Sequence, residues 1–406
     1  MNSELGVEKP ARNGTPGSDA SHSRLEALHR WAQSQQFNPS FWLRQPDLQT
    51  AWYVIRDIAA RVRNDRISTR QIWAHVWGEE RPPVSTGRYK SGQSTRRHGE
   101  GAIERESWSE ANSALSRHAE AVQIPFDDEG YLTGVLNRAG AGRSLAILFH
   151  GLEGSIEATY MRGVSAELLR HGISALRVNM VNCGGSESCT RRFYHAGFTL
   201  PLEISVRWAL RNDFDQIVVI GFSLGGNLAL KYLGSSNFGR AAEVLGGITI
   251  STPIDLAQGV ARIDRPRNKF YRYRFLKSMY RTLRRKQELF PDLFPINIEW
   301  VTTIAEFDHR YTSRVNGFAS GAEYYEKTSS ISYLSKIDRP TLILHSQDDL
   351  FIPFDAFREF DWSRNPNLIP LFPRHGGHIG FHASARENWM EKKTAEFCAK
   401  LMTHRQ

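Results

Sequence analysis

Beyond residue 117, apolar residues gather into short unbroken runs separated by stretches of helical spacing. Leu145–Phe149, Ala175–Asn179, Ile217–Ile220, Gly247–Ser251, Thr341–His345 and Leu368–Phe372 each have the length of a strand. Unbroken apolarity, without polar alternation, predicts strands covered on both faces. Between them, Tyr160–Leu169, Leu202–Leu210 and Leu224–Leu233 repeat apolar residues every three or four positions and predict helices. Such alternation predicts an α/β fold with a mostly parallel sheet and helices on both faces. Residues 255–335 are too long for a simple crossover and predict a helical cap inserted between two strands.

The earlier residues have a different texture. Residues 1–36 predict a disordered or weakly helical tail: 1–22 are polar and rich in Gly, Ser and Asn, and a short helix is expected over Arg24–Gln33 from Leu25, Leu28 and Trp31. Residues 37–116 form an N-terminal arm. In it Trp52, Ile55, Ile58, Ala59 and Val62 predict an amphipathic helix over Leu48–Val62, and 82–113 predict a long polar loop. The remaining 117–406 read as the α/β domain with its cap.

One pattern carries chemistry. Gly221-Phe222-Ser223-Leu224-Gly225 follows an apolar strand directly and opens a helical pattern. A serine on a sharp strand-to-helix turn exposes its hydroxyl, and glycines two residues to either side leave room for the turn. A serine hydroxyl needs a base to act as a nucleophile, so acid and histidine should follow in that order, each after a strand. Asp348 and Asp349 follow the run TLILHS; His375 and His378 follow LIPLFP. Asp348 and Asp349 compete for the acid, and the one that does not serve is expected to cap the next helix. His150-Gly151-Leu152-Glu153-Gly154 follows the first parallel strand, so the N–H groups of Leu152 and Leu224 are the candidate oxyanion donors. His150 and His195 are expected to shape loops, and Glu153 is a candidate for orienting the oxyanion loop.

These residues resemble the α/β-hydrolase superfamily, and within it the YheT-like (abhydrolase-4) branch of serine esterases. The resemblance rests on HGLEGS (150–155), NCGGSE (182–187), RFYHAGFT (192–199), GFSLGGNLALKYLG (221–234), the DD pair (348–349), HGGHIGF (375–381) and, upstream, FNPSFWLRQPDLQT (37–50). It implies the α/β-hydrolase fold and a serine hydrolase acting on carboxylic esters, often of lipids, with no metal or organic cofactor. It places His378, the second histidine of HGGH, as the base beside Ser223 and Asp349, and makes His375 a loop histidine. Residues 51–116 resemble nothing in that family.

Charge changes the picture locally. The 406 residues carry a net +9, but eleven cations against the single Asp264 lie between Ala261 and Lys286, so the rest is close to neutral. In the same segment Tyr271, Phe275, Leu276, Met279, Tyr280 and Leu283 recur at helical spacing, which predicts a cap helix with an apolar side on the site and a solvated basic face. That face suits peripheral contact with anionic membrane through 261–290. Nucleic acid is not expected, since no recognisable module accompanies the cations. Three scattered cysteines exclude a disulfide framework and argue against zinc. No signal-peptide core and no run of ~20 apolar residues is present, so the expected location is cytoplasmic. The alternative function class is a catalytically silent α/β scaffold that binds anionic membrane or a partner through its basic cap.

Overall fold

The computed structural model describes residues 16–52, 115, 119–126, 130–236, 239, 241–385 and 387–403. Of the helix expected over Leu48–Val62, residues 48–52 are described and helical, the helix starting at 46; its remainder and the loop expected over 82–113 lie outside the described residues.

Eight strands form one sheet: β1 (Ala119–Pro125), β2 (Tyr131–Asn137), β3 (Ser144–Phe149), β4 (Ser174–Val178), β5 (Gln216–Phe222), β6 (Val244–Ile250), β7 (Thr341–Leu344) and β8 (Leu368–Leu371). Their order is β1-β2-β4-β3-β5-β6-β7-β8. The first two pair antiparallel with each other and β2 with β4; every other pairing is parallel. The six apolar runs are thus the parallel strands. In β5, Ile217 and Val219 enter the core on one face, while Val218, Ile220 and Phe222 enter that on the other. A strand with no solvated face has no place for a polar residue, hence the unbroken runs.

The β1–β2 hairpin was not legible as strand. Its outer member β1 buries only Val122 and Ile124, so it lacks a sustained apolar pattern. Helices α2 (Thr159–Arg170) and α8 (Trp389–Met402) cover one face of the sheet, with α1 (Pro16–Ser34) beside them; α3 (Leu200–Arg211) and α4 (Leu224–Ser235) cover the other. The first helix starts earlier than the expected Arg24. It is held through buried Leu28 and through Trp31, whose ring lies 5.5 Å from that of Phe397. Residues 16–34 of the tail expected over 1–36 are therefore helical, because the apolar side of this helix has a docking site on the domain.

Between β6 and β7 come α5 (Leu256–Ile263), α6 (Lys269–Leu289), a π-helical turn at Asp308–Thr312 and α7 (Gly321–Thr328), in the place expected for the cap. Helix α6 buries Leu276, Met279, Tyr280 and Leu283, in accord with the apolar spacing. Lys286 departs from the solvated face: it is fully buried, with Nζ donating to the carbonyls of Glu187 (3.2 Å) and Thr190. Those two loop carbonyls need a donor, and desolvation lowers the lysine pKa to about 8. No helix among the described residues is long and apolar enough to cross a membrane.

Phe397 is completely buried where α8 meets the sheet and α1. Replacing it with alanine should cost about 3–5 kcal/mol, read as a lower urea midpoint at unchanged slope.

Candidate active site

The turn after β5 is built from its crowding. Ser223 has φ +50° and ψ −119°, outside the regions that L residues favour, and its N–H donates to the Ile250 carbonyl at 2.8 Å. Helix α4 begins at the next residue, so its first N–H groups point outward without acceptors in the helix. A Cβ on Gly225 would lie 2.4 Å from the Phe149 carbonyl oxygen; on Gly221 it would lie 2.3 Å from that of Gly225. Both glycines of the motif are therefore required by close backbone approach.

The structure brings Ser223, His378 and Asp349 into one hydrogen-bonded chain. His378 Nε2 lies 3.0 Å from Ser223 Oγ, and Nδ1 lies 2.9 and 3.1 Å from the two carboxylate oxygens of Asp349. Asp349 is wholly buried, and its Oδ1 also accepts the N–H groups of Phe351 (2.8 Å) and Ile352 (3.0 Å). Burial alone would raise its pKa. The charge and hydrogen bond of His378, then His345 and the Ile352 N–H, outweigh burial and hold the carboxyl below its ordinary value. The ring of Phe351 covers the imidazole at 4.7 Å.

Asp348 and His375 form a second pair, 3.2 Å apart and away from Ser223. The expectation that the spare aspartate caps the following helix is not met. Asp348 reaches back to the histidine loop and accepts the Gly377 N–H at 2.9 Å, while the helix at Asp355–Glu359 begins after Phe354. A donor in the facing loop was nearer than the helix end.

The loop after β3 holds the other candidates. Tyr160 accepts the Gly151 N–H at 3.1 Å. Among the described residues no backbone acceptor takes the N–H of Leu152 or Leu224, and both residues line the same cavity as Ser223. His150 is fully buried; its Nε2 accepts the Met180 N–H at 3.0 Å and its Nδ1 lies 2.8 Å from the Gly151 carbonyl. Burial lowers its pKa to about 4, so it is a neutral brace of this loop. His195 is likewise lowered to about 4 by burial and by Lys231, and stacks on Phe198. Glu153, at φ +54°, accepts hydroxyl protons from Tyr194 (2.9 Å) and from Ser278 and Thr282 of α6 (2.8 Å each), joining the loop to the cap.

The cavity beside Ser223 and His378 has a volume of about 80 Å³. Its walls are mostly apolar, including Leu256, Val260, Phe275, Met279 and Phe307, with carboxyl groups of Glu153 and Asp308 among them. Asp308 was not foreseen as a site residue. It accepts hydroxyl hydrogen bonds from Thr312 (2.7 Å) and Tyr325 (2.8 Å), and in sequence nothing sets it apart from the other acids of the cap, such as Glu306 two residues before it.

Fold and site together define the class. Residues 147–385 match the model of the alpha/beta hydrolase fold family, and the chain belongs to that family. Within it, the chain is similar to YheT of Escherichia coli (strain K12), with 28% identity over 259 residues, 62% of this chain and 75% of that protein. It is similar also to Abhydrolase domain-containing protein 2 of Drosophila melanogaster (30% over 256 residues, 57% of this chain and 62% of that one). The monoacylglycerol lipase of Saccharomyces cerevisiae is 26% identical over 272 residues, 63% of this chain and 59% of its own. The chain thus spans under two thirds of the last two.

Burial, against the two hydroxyl bonds, raises the Asp308 pKa from 3.8 to about 6. The folded state therefore retains a proton that the unfolded chain releases, and the stability this contributes is full below pH 3.8 and lost as pH rises through about 6. In Asp308→Asn the fall in melting temperature across that window should be shallower than in wild type.

Proposed function

We propose that this protein is a serine hydrolase cleaving carboxylic esters of short-chain or lipid-like acyl groups through Ser223, His378 and Asp349. The observation that carries the reading is the 3.0 Å approach of His378 Nε2 to Ser223 Oγ, with Nδ1 against a buried carboxylate. His378 takes the serine proton as the hydroxyl attacks the ester carbonyl. Asp349, kept ionised, holds the imidazole in the tautomer whose Nε2 can accept, and stabilises the imidazolium. The Leu152 and Leu224 N–H groups donate to the developing oxyanion, aided by the positive end of α4. Proton return from His378 releases the alcohol, and water cleaves the acyl-enzyme by the same route. The apolar cavity and the similarity to a monoacylglycerol lipase support a lipid-like acyl group.

The outer face of the cap supports a second element of the proposal, peripheral contact with anionic membrane. Phe270, Tyr273 and Trp300 are 42%, 46% and 50% exposed, an unusual cluster of large apolar side chains. Lys277, Arg281, Arg284 and Arg285 line an open cleft of about 400 Å³ with Tyr280, Trp300 and Glu288, which pairs with Arg285 at 3.0 Å. Exposed aromatics beside cations are the composition of an interfacial surface, each near-surface cation contributing about 1 kcal/mol on anionic lipid. The opposite face of α6 lines the cavity through Phe275 and Met279, so docking would present lipid esters next to the site.

Ser223→Ala should fold as wild type and lower kcat for p-nitrophenyl ester hydrolysis by about 10³-fold or more. Hydrolysis retained in that variant would contradict Ser223 as the nucleophile, and absence of hydrolysis and of fluorophosphonate labelling in wild type would return the protein to the silent-scaffold class. Wild-type protein should co-sediment with anionic vesicles at low salt and be released at high salt, and Arg281→Glu/Arg284→Glu should reduce the bound fraction. Absence of low-salt binding would contradict membrane contact.

A further inference from the structure

The N-terminal arm takes no part in the chemistry proposed above, yet it is built into the loop that carries His378. Gln49 is fully buried. Its Nε2 donates to the carbonyls of Leu43 (2.8 Å) and His382 (3.0 Å), and its Oε1 accepts the His382 N–H at 2.7 Å. The amide thus pairs with donor and acceptor of one loop residue, as a neighbouring strand would. Next to it, Thr50 Oγ1 accepts the backbone N–H of His378 itself at 2.9 Å while donating its proton to the Pro46 carbonyl at 2.8 Å. Since a hydroxyl has one proton, the donation to Pro46 leaves its lone pairs for His378. The two backbones are in contact: a Cβ on Gly380 would lie 2.4 Å from the Gln49 carbonyl oxygen.

The loop needs such restraint. Ile379, directly after the histidine, has φ +61°, and Phe381 has φ +49°. For a β-branched or bulky residue this conformation costs about 1–3 kcal/mol and persists only where surroundings over-determine it. Ser251 Oγ holds one side, accepting the Ile379 N–H at 3.0 Å; Thr50 holds the adjoining N–H from the other. The Asp47–Arg267 ion pair (2.8 Å) also ties the arm to the cap, but both partners are more than half exposed, so the buried bonds of Gln49 and Thr50 do most of the holding.

We infer that Thr50 is a positioning residue for His378: by fixing the backbone N–H of the base, with Gln49 anchoring the arm, it keeps the imidazole within reach of both Ser223 and Asp349. This rests on His378 being the base. It gives the upstream FNPSFWLRQPDLQT segment a task that its distance in sequence conceals.

The test compares Thr50→Val, which keeps shape and loses the acceptor, with Thr50→Ser, which keeps the acceptor. Thr50→Ala, free of a new methyl group, repeats the comparison should valine impair folding. With p-nitrophenyl esters, and sites counted by fluorophosphonate titration, Thr50→Val should lose about 10- to 100-fold in kcat at nearly constant KM, and Thr50→Ser should recover most of it. Backbone hydrogen exchange over 375–382 should quicken in Thr50→Val and not in Thr50→Ser. Wild-type kcat per titrated site in Thr50→Val, even with a lower melting temperature, overturns the inference, as does unchanged exchange in that segment. Should the wild type itself show no Ser223-dependent hydrolysis, it is the reading of His378 as base that fails, and the exchange comparison still decides whether Thr50 restrains the loop.

Discussion

Ser223 sits at φ +50°, a conformation that costs about 1–3 kcal/mol for a residue with a side chain, and much of the architecture follows from keeping it there. Strand β5 must end in line with β6 for the Ser223 N–H to reach Ile250, and α4 must start at once. The glycines at 221 and 225 must let strand, turn and helix touch. Glu153, Asn182 and Ser251 adopt positive φ just after β3, β4 and β6, so backbone strain gathers at the carboxyl ends of the parallel strands. In open α/β sheets that edge is where ligands bind. The elements behind it, packed on two continuous apolar cores, supply the rigidity that holds several unfavourable turns in register.

Three buried carboxyl groups near this edge differ in what their surroundings do to them. Asp349 is offset by an imidazole and two backbone N–H groups, which overcome burial and favour the ionised form. Glu153 and Asp308 have hydroxyl partners, which satisfy their oxygens but supply no charge, so burial prevails and raises both. The first is suited to stabilising an imidazolium, whereas Glu153 knits the cap to the loop beneath it and Asp308 ties two segments of the cap together. Glu153 is the clearest case: one carboxyl spans the loop after β3, Tyr194 and two hydroxyls of α6.

Legibility in sequence followed how local each signal was. The parallel strands and the helices α2, α3 and α4 were readable because burial on both faces, or on one helical stripe, writes itself into neighbouring residues. The β1–β2 hairpin was not, since an edge strand with two buried side chains leaves little pattern. The early start of α1 depends on a docking partner that lies at the opposite end of the chain. At the site, the order Ser223, Asp349, His378 could be read from motifs after strands. The choice between Asp348 and Asp349 needed the folded loop, which turns one toward His375 and the other toward His378. Buried Lys286 looked like one more surface cation, and Thr50 and Gln49 carried no chemical signature; their role is visible only once residues more than three hundred positions apart are brought together.

The central claim is that the Ser223 hydroxyl is a nucleophile, made so by His378 and Asp349. Reaction with a fluorophosphonate, followed by mass-spectrometric mapping of the adduct in wild type and in His378→Gln, tests it most directly. The account predicts a single stoichiometric adduct on Ser223 in wild type, formed very slowly or not at all in the histidine variant. An adduct on another residue, or equal labelling of Ser223 without His378, would contradict it.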